Sequence, residues 1–287
     1  MSISTLRKKY HDRLCDQIIR INTLEDVTYP NFSDSSSRAS VNIGMSILNL
    51  LNRTIETGHQ KEQTIGKTFE EITKDFLEDS FNLLSHIRPG YWIYTTRNTD
   101  ISRYEQYEHL ARLETKIKSD KDLSSVLGQD YIVKPDIVIA RQPLIDDELN
   151  LIQDVVNQSE EVCNHTPLRL INLDNPNTLI LHASISCKWS IRSDRSQNTR
   201  TEALNLIRNR KGKLPHICAV TAEPLPTRIA TLALGTGDLD CVYHFALTEL
   251  RQAVRNVKNE DQQDMLETMI NGKRLRDISD LPLDIAI

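Results

Sequence analysis

Residues 179–198, LILHASISCKWSIRSDRSQN, hold the pattern that decides the fold. Leu181, Ala183, Ile185, Cys187, Trp189 and Ile191 fall on one side of an extended chain, and His182, Ser184, Ser186 and Lys188 on the other. Side chains alternate across a strand, so this period of two predicts a β-strand over Leu179–Ile191. A helix over about Asn198–Arg210 follows, then a strand His216–Thr221, a helix near Thr227–Leu234, a strand Asp240–Phe245 and a helix from Ala246 to about Val257. Upstream, Tyr131–Ala140 (YIVKPDIVIA) reads as a second apolar, β-branched strand, with Pro135 at its edge or at a bulge because proline offers no N–H. Strands alternating with helices from Tyr131 onward predict an α/β fold, a central mixed β-sheet flanked by helices.

Ahead of that core the pattern is helical. Leu6–Ile21 and Val41–Leu51 have helical spacing, and the polar NFSDSSSRAS (Asn31–Ser40) between them is a loop. Phe69, Ile72, Phe76, Phe81 and Leu84 share one side of a helix expected over Thr68–Ile87, which Pro89-Gly90 stops. A short strand Tyr91–Thr96, a helix Arg103–Lys118 and an irregular stretch Arg141–Asn177 complete the reading. We take residues 1–287 as a single domain: a helical N-terminal region to about 125, a sheet core over about 126–260 and a C-terminal segment 261–287.

The 39% hydrophobic and 26% charged content is that of a globular chain with a real core. No apolar run approaches the roughly 18 residues that span a bilayer, and no signal-peptide h-region follows the N-terminus, so a cytoplasmic location is expected. The five scattered cysteines form neither a disulfide framework nor a CxxC zinc pattern. Net charge is −5, yet the segment from Lys188 to Lys213 holds eight basic residues against Asp194 and Glu202. That local +6 leaves −11 for the remainder, and distribution matters more than the sum for a polyanionic partner.

Lys188 within an apolar strand needs water or a partner. Asp136, directly after Pro135 in another apolar strand, and Glu202, on the helix after Lys188, supply carboxylates. Two acids and a lysine at the mouth of a small sheet suit metal-assisted phosphodiester hydrolysis: carboxylates hold hard Mg²⁺, and lysine orients or deprotonates the attacking water and offsets phosphate charge. The common nuclease pattern PD…(D/E)xK places an acid two residues before the lysine. Here that position is Ser186, and Glu202, fourteen positions after Lys188, moves the acid onto the following helix.

Pro135-Asp136, then Ser186 and Lys188, then Glu202 resemble the CCGG-family restriction endonucleases, and Leu179–Asn198 is similar to the NgoMIV-type enzymes among them. HIRPG (His86–Gly90), RYEQYEHL (Arg103–Leu110), LALGTG (Leu232–Gly237) and NGKRLRDISDLPLD (Asn271–Asp284) extend the resemblance over most of the chain. It implies a type II site-specific deoxyribonuclease of the PD-(D/E)xK superfamily, with Mg²⁺, two ions per active site, held at Asp136, Glu202 and Cys187. Glu70 or its neighbour Glu71 would join Asp136, Lys188, Glu202 and Ser186 in catalysis.

Arg192, Asp194 and Arg195 have the chemistry for CCGG, since arginine donates bidentately to guanine and aspartate accepts from cytosine in the major groove. The resemblance gives them that role. It extends the site to GCCGGC, cut after the first G, with Asp34 and Arg228 on the outer pair and Gln63 approaching the minor groove. It further implies a homotetramer on double-stranded DNA and a partner methyltransferase. Two other readings stay open on the residues: a sequence-specific DNA-binding protein without cleavage, and a repair or resolving nuclease that reads DNA shape.

Overall fold

The computed structural model describes residues 1–97, 100–120, 133–157, 159–170, 179–191, 193–235 and 237–287, without the side chains of 117–118 and 193–196. Two short strands, β1 (Ile21–Leu24) and β2 (Val27–Pro30), pair as an N-terminal hairpin. Six others form one sheet: β3 (Trp92–Thr95), β4 (Ile137–Arg141), β5 (Ile180–Lys188), β6 (His216–Thr221), β7 (Cys241–His244) and β8 (Leu275–Asp277), side by side in that order. β4 runs antiparallel to both its neighbours, β3 and β5, and β5 to β8 are parallel. The expected mixed sheet flanked by helices is therefore present.

Helices α1 (Ile3–Gln17), α2 (Arg38–Leu51) and α3 (Glu62–Asn82) precede the sheet; α4 (Ala111–Ser119), α5 (Ser193–Asn209), α6 (Pro226–Ala233), α7 (Leu247–Val257) and α8 (Glu260–Asn271) are threaded between its strands. β5 is buried on both faces, so its alternation does not separate core from solvent. His182 on the polar side is satisfied by the Ile285 carbonyl at 2.7 Å, and burial pushes its imidazole down to about 3, keeping it neutral. Cys187, Cys218 and Cys241 are small buried core residues, as is Cys15 on α1, while Cys163 is exposed. No described helix is long and apolar enough to cross a membrane.

Several boundaries differ from the sequence reading for identifiable reasons. The first helix stops at Gln17, because the chain turns into the β1–β2 hairpin through Glu25 and Asp26, both at positive φ. α3 begins at Glu62 and ends at Asn82, where one-turn bends carry the chain to Pro89. The helix expected from Arg103 opens as 3₁₀ turns, Ile101–Arg103 and Glu105–Leu110, before α4. Asp136 lies just ahead of β4, since Pro135 cannot contribute an N–H to the ladder, and Tyr131 and Ile132 lie outside the described residues. α5 starts at Ser193, which puts Asp194 and Arg195 on its first turn. The C-terminal segment, for which no elements were expected, supplies α8, the edge strand β8 and a helical turn Leu281–Asp284.

Candidate active site

The antiparallel register of β4 on β5 pairs Ile137 with Ile185, so the residue before β4 arrives beside the end of β5. Asp136 Oδ2 there accepts from the Cys187 backbone N–H at 2.7 Å, from Lys188 Nζ at 3.0 Å and from Ser186 Oγ at 3.3 Å. The Lys188 and Asp136 side chains are only 19% and 25% exposed, so their ion pair is shielded from the screening that weakens surface pairs. Burial pulls the Lys188 ammonium down, but attraction to Asp136, the hydrogen bond and Glu202 outweigh it and raise its pKa. The lysine is therefore a cation at neutral pH.

Glu70 reaches the same place from α3. Its carboxyl is pushed up to about 7 by burial and by the neighbouring charge of Asp136, against the pull of Lys188. Helical spacing sends the two adjacent glutamates to different places. Gln63, Lys67 and Glu70 follow one another at helical spacing and line one cleft, whereas Glu71 accepts a hydrogen bond from Thr96. The opposite face of α3 sinks Ile65, Phe69, Ile72 and Phe76 into the core. Phe69 packs edge-on against Trp189, one residue after Lys188, with centroids 5.1 Å apart. Burying such a ring contributes on the order of 2 kcal/mol, which fixes Glu70 relative to the end of β5.

The cleft, of about 1330 Å³, is lined by Asp34, Gln63, Glu70, Asp136, Lys188, Glu202 and Arg228 among others. Trp189 also meets Phe32 edge-on at 5.9 Å, which anchors the Ser-rich loop that carries Asp34. Gly44 on α2 lets that loop close in, since a Cβ there would stand 2.0 Å from Ser33 Oγ and 2.9 Å from Pro30 Cγ. Asp34 Oδ1 accepts from the Ser36 amide at 3.0 Å and its hydroxyl at 2.7 Å, and Oδ2 from the Arg228 guanidinium. Ser36 and Arg228 together hold the Asp34 carboxyl down to about 2. Two residues 194 positions apart thus form one ion pair on the cleft wall.

One expected contact, at Cys187, has another character, and the side chains of three expected readers lie outside the described residues. The Cys187 thiol is buried and raised well above its ordinary value, so it is protonated, and it is the backbone N–H of Cys187 that meets Asp136. Arg192 and the side chains of Asp194 and Arg195 lie outside the described residues. Sequence reading passed over Lys67, four residues after Gln63, and Asn198, four before Glu202, although helical spacing puts each on the face of its neighbour. It also passed over Glu223, which burial pushes up to about 7.

The family model described as NgoMIV restriction enzyme matches residues 10–287. The Type II restriction enzyme NgoMIV of Neisseria gonorrhoeae is 45% identical over 285 residues, covering 98% of this chain and 97% of that one. Among solved structures, the Type IIF restriction endonuclease Bse634I with cognate DNA aligns at 15% identity and a TM-score of 0.38, over 91% of this chain and 99% of that chain. The PspGI–substrate DNA complex aligns at 15% identity and a TM-score of 0.25, over 88% and 92%. Those two likenesses are slight and carry no argument; the family match and the 45% identity do. The chain belongs to the NgoMIV restriction enzyme family.

Proposed function

We propose that this protein is a Mg²⁺-dependent type II restriction endonuclease that hydrolyses double-stranded DNA at GCCGGC, after the first G, leaving 5′ overhangs. The observation that carries this reading is one cleft that holds Asp136, Lys188, Glu70 and Glu202 beside the Asp34–Arg228 pair, in a member of a restriction enzyme family. Cutting of a GCCGGC duplex in Mg²⁺, abolished by a chelator and absent on a scrambled duplex, tests it. Specific binding in Mg²⁺ without product would favour the DNA-binding alternative, and cutting indifferent to CCGG the repair-nuclease alternative.

The residues fit the metal by the chemistry of their donors. Asp136 and Glu202 offer hard carboxylate oxygens, the kind Mg²⁺ takes. Among the described residues no three His, Cys, Asp or Glu side chains form a ready cage, so Mg²⁺ would keep water and phosphate oxygens in its shell. The protonated Cys187 thiol is a poor ligand for it, and a contact there would use the main chain. When bound, Mg²⁺ supplies Lewis-acid stabilisation of charge developing on the phosphate.

The protein's own groups divide the remaining work. Asp136 holds the Lys188 ammonium in place through Oδ2, and the ammonium orients the attacking water and offsets phosphate charge. Glu70, titrating near neutrality, is suited to accept the proton that water releases. Its pKa lies above the ordinary 4.5, so folding takes up a proton; the stability from this group is present at low pH and is lost as pH rises from 4.5 to about 7. Buried Glu223 acts with the same sign over the same window. Opposite trends are therefore expected: cleavage rises between about pH 6 and about pH 8, while the metal-free protein loses the stability contributed by these carboxyls. A rate profile from about pH 6 to about pH 8 and a melting profile from about pH 4 to about pH 8 check both, and a cleavage rate that falls as pH rises would remove Glu70 as proton acceptor.

Asp34 and Arg228 are an acceptor and a donor already side by side, matched to the cytosine and guanine of one base pair. Arg228→Ala should cost roughly 1–3 kcal/mol of discrimination at the outer pair and leave CCGG required. Equal discrimination in mutant and wild type, measured on duplexes differing only at that pair, would sink this assignment. We place Arg192, Asp194 and Arg195 on CCGG by their residue chemistry and Gln63, on the cleft wall, near the minor groove. A homotetramer would offer cover to exposed apolar side chains such as Leu151, Ile152, Val155 and Val162. Sedimentation equilibrium decides the assembly, with a monomer or a dimer excluding it. A cytoplasmic methyltransferase that protects host DNA belongs to the same reading.

A further inference from the structure

Glu223 follows β6 and is 1% exposed, yet it is a carboxylate in a place where an apolar side chain would pack at lower cost. Oε2 accepts from the Ile191 backbone N–H at 2.9 Å and Oε1 from the Leu225 N–H at 3.2 Å. Its own N–H donates to Thr221 Oγ1 at 3.1 Å, and the adjacent Ala222 N–H to the Lys188 carbonyl at 3.3 Å. Ile191 is three residues past Lys188 and immediately precedes the expected CCGG reader. Leu225 is the N-cap of α6, and the Arg228 N–H donates to its carbonyl at 3.0 Å. One buried carboxylate therefore ties the strand that ends in Lys188 to the helix that carries Arg228.

We propose that Glu223 is a positioning residue that sets the outer-base-pair reader Arg228 in register with the cutting strand, through its paired hydrogen bonds to Ile191 and Leu225. The inference rests on the restriction-endonuclease reading above. The two-point geometry explains why a carboxylate stands there: only a group with two acceptor oxygens holds both amides at once. Glutamine fills the same volume but turns an N–H donor toward one of them. Loss of either hydrogen bond lets α6 shift against β5 without touching Asp136, Lys188, Glu70 or Glu202.

The test uses the full chain and two readouts. On duplexes that differ only at the outer pair, Glu223→Gln should cut GCCGGC within about threefold of wild type while its preference for that pair falls about tenfold. Adding Glu223→Gln to Arg228→Ala should leave the preference of Arg228→Ala unchanged, because one acts through the other. Hydrogen exchange on the free protein should find the Ile191 and Leu225 amides slow in wild type and faster in the mutant. Unchanged preference in a folded Glu223→Gln protein, equal slowing on all sites, or further loss on the Arg228→Ala background would each overturn the proposal. If Glu223→Gln does not fold, Glu223→Asp, one methylene too short to span both amides, takes its place, and fast exchange of either amide in folded wild type overturns the clamp directly. A wild-type protein with no outer-pair preference overturns the functional reading instead, while slow exchange of both amides would still uphold the clamp.

Discussion

Lys188→Ala should bind GCCGGC duplex and cleave it slower by roughly 10³-fold or more, since it removes the group that orients water and offsets phosphate charge. The fold should survive, because Asp136 keeps its hydrogen bonds from the Cys187 amide and Ser186 hydroxyl. Without the nearby ammonium, which now pulls its pKa down, the Glu70 carboxyl moves further above about 7 and the pH–rate profile of any residual activity shifts to higher pH. Single-turnover cleavage and a gel-shift assay separate the two effects. Cleavage persisting at the wild-type rate would take Lys188 out of the mechanism.

The second large effect concerns the displaced acid. Glu202→Ala should lower cleavage on the order of 10²-fold or more, because Ser186 cannot replace a charged metal ligand. Ser186 stands 3.3 Å from Asp136 Oδ2, inside the same group of donors. Ser186→Glu in the Glu202→Ala background therefore puts an acid back at the ExK position and should return part of the activity, at a raised Mg²⁺ requirement. The added buried acid beside Asp136 costs stability, which a melting curve will register. A double mutant as inactive as Glu202→Ala, yet folded, would mean that the helix acid does more than stand in for the missing strand acid.

Much of the sheet was legible because burial and period agree there. His216–Thr221 has the expected ends, and the strand through Lys188 lies inside the expected range. The hairpin was not legible, since Glu25-Asp26 takes the positive φ that an Asn-Gly turn would have advertised. Nor was β8, three residues whose place at the sheet edge depends on pairing with β7. The acids and lysine were readable as residue types at a spacing, but the meeting of Asp136 with Lys188 was not: it rests on the β4–β5 register, which a sequence carries only implicitly. The ambiguity between Glu70 and Glu71 came from leaving the phase of α3 unused, which puts Glu70 with Gln63 and Lys67 on the cleft. Glu223 was hidden for a different reason. A glutamate between an alanine and a proline reads as a surface turn, and only the fold brings Ile191 and Leu225 to its two oxygens.

On the proposed function, a cutting group and a reader are joined in one cleft. Digesting a plasmid of known sequence with the purified protein in Mg²⁺ and sequencing the product ends tests that union most directly. The predicted result is ends mapping after the first G of GCCGGC alone, none with chelator and none with Lys188→Ala. Ends scattered over unrelated sequences, or no cleavage of a plasmid bearing several GCCGGC sites, would contradict it.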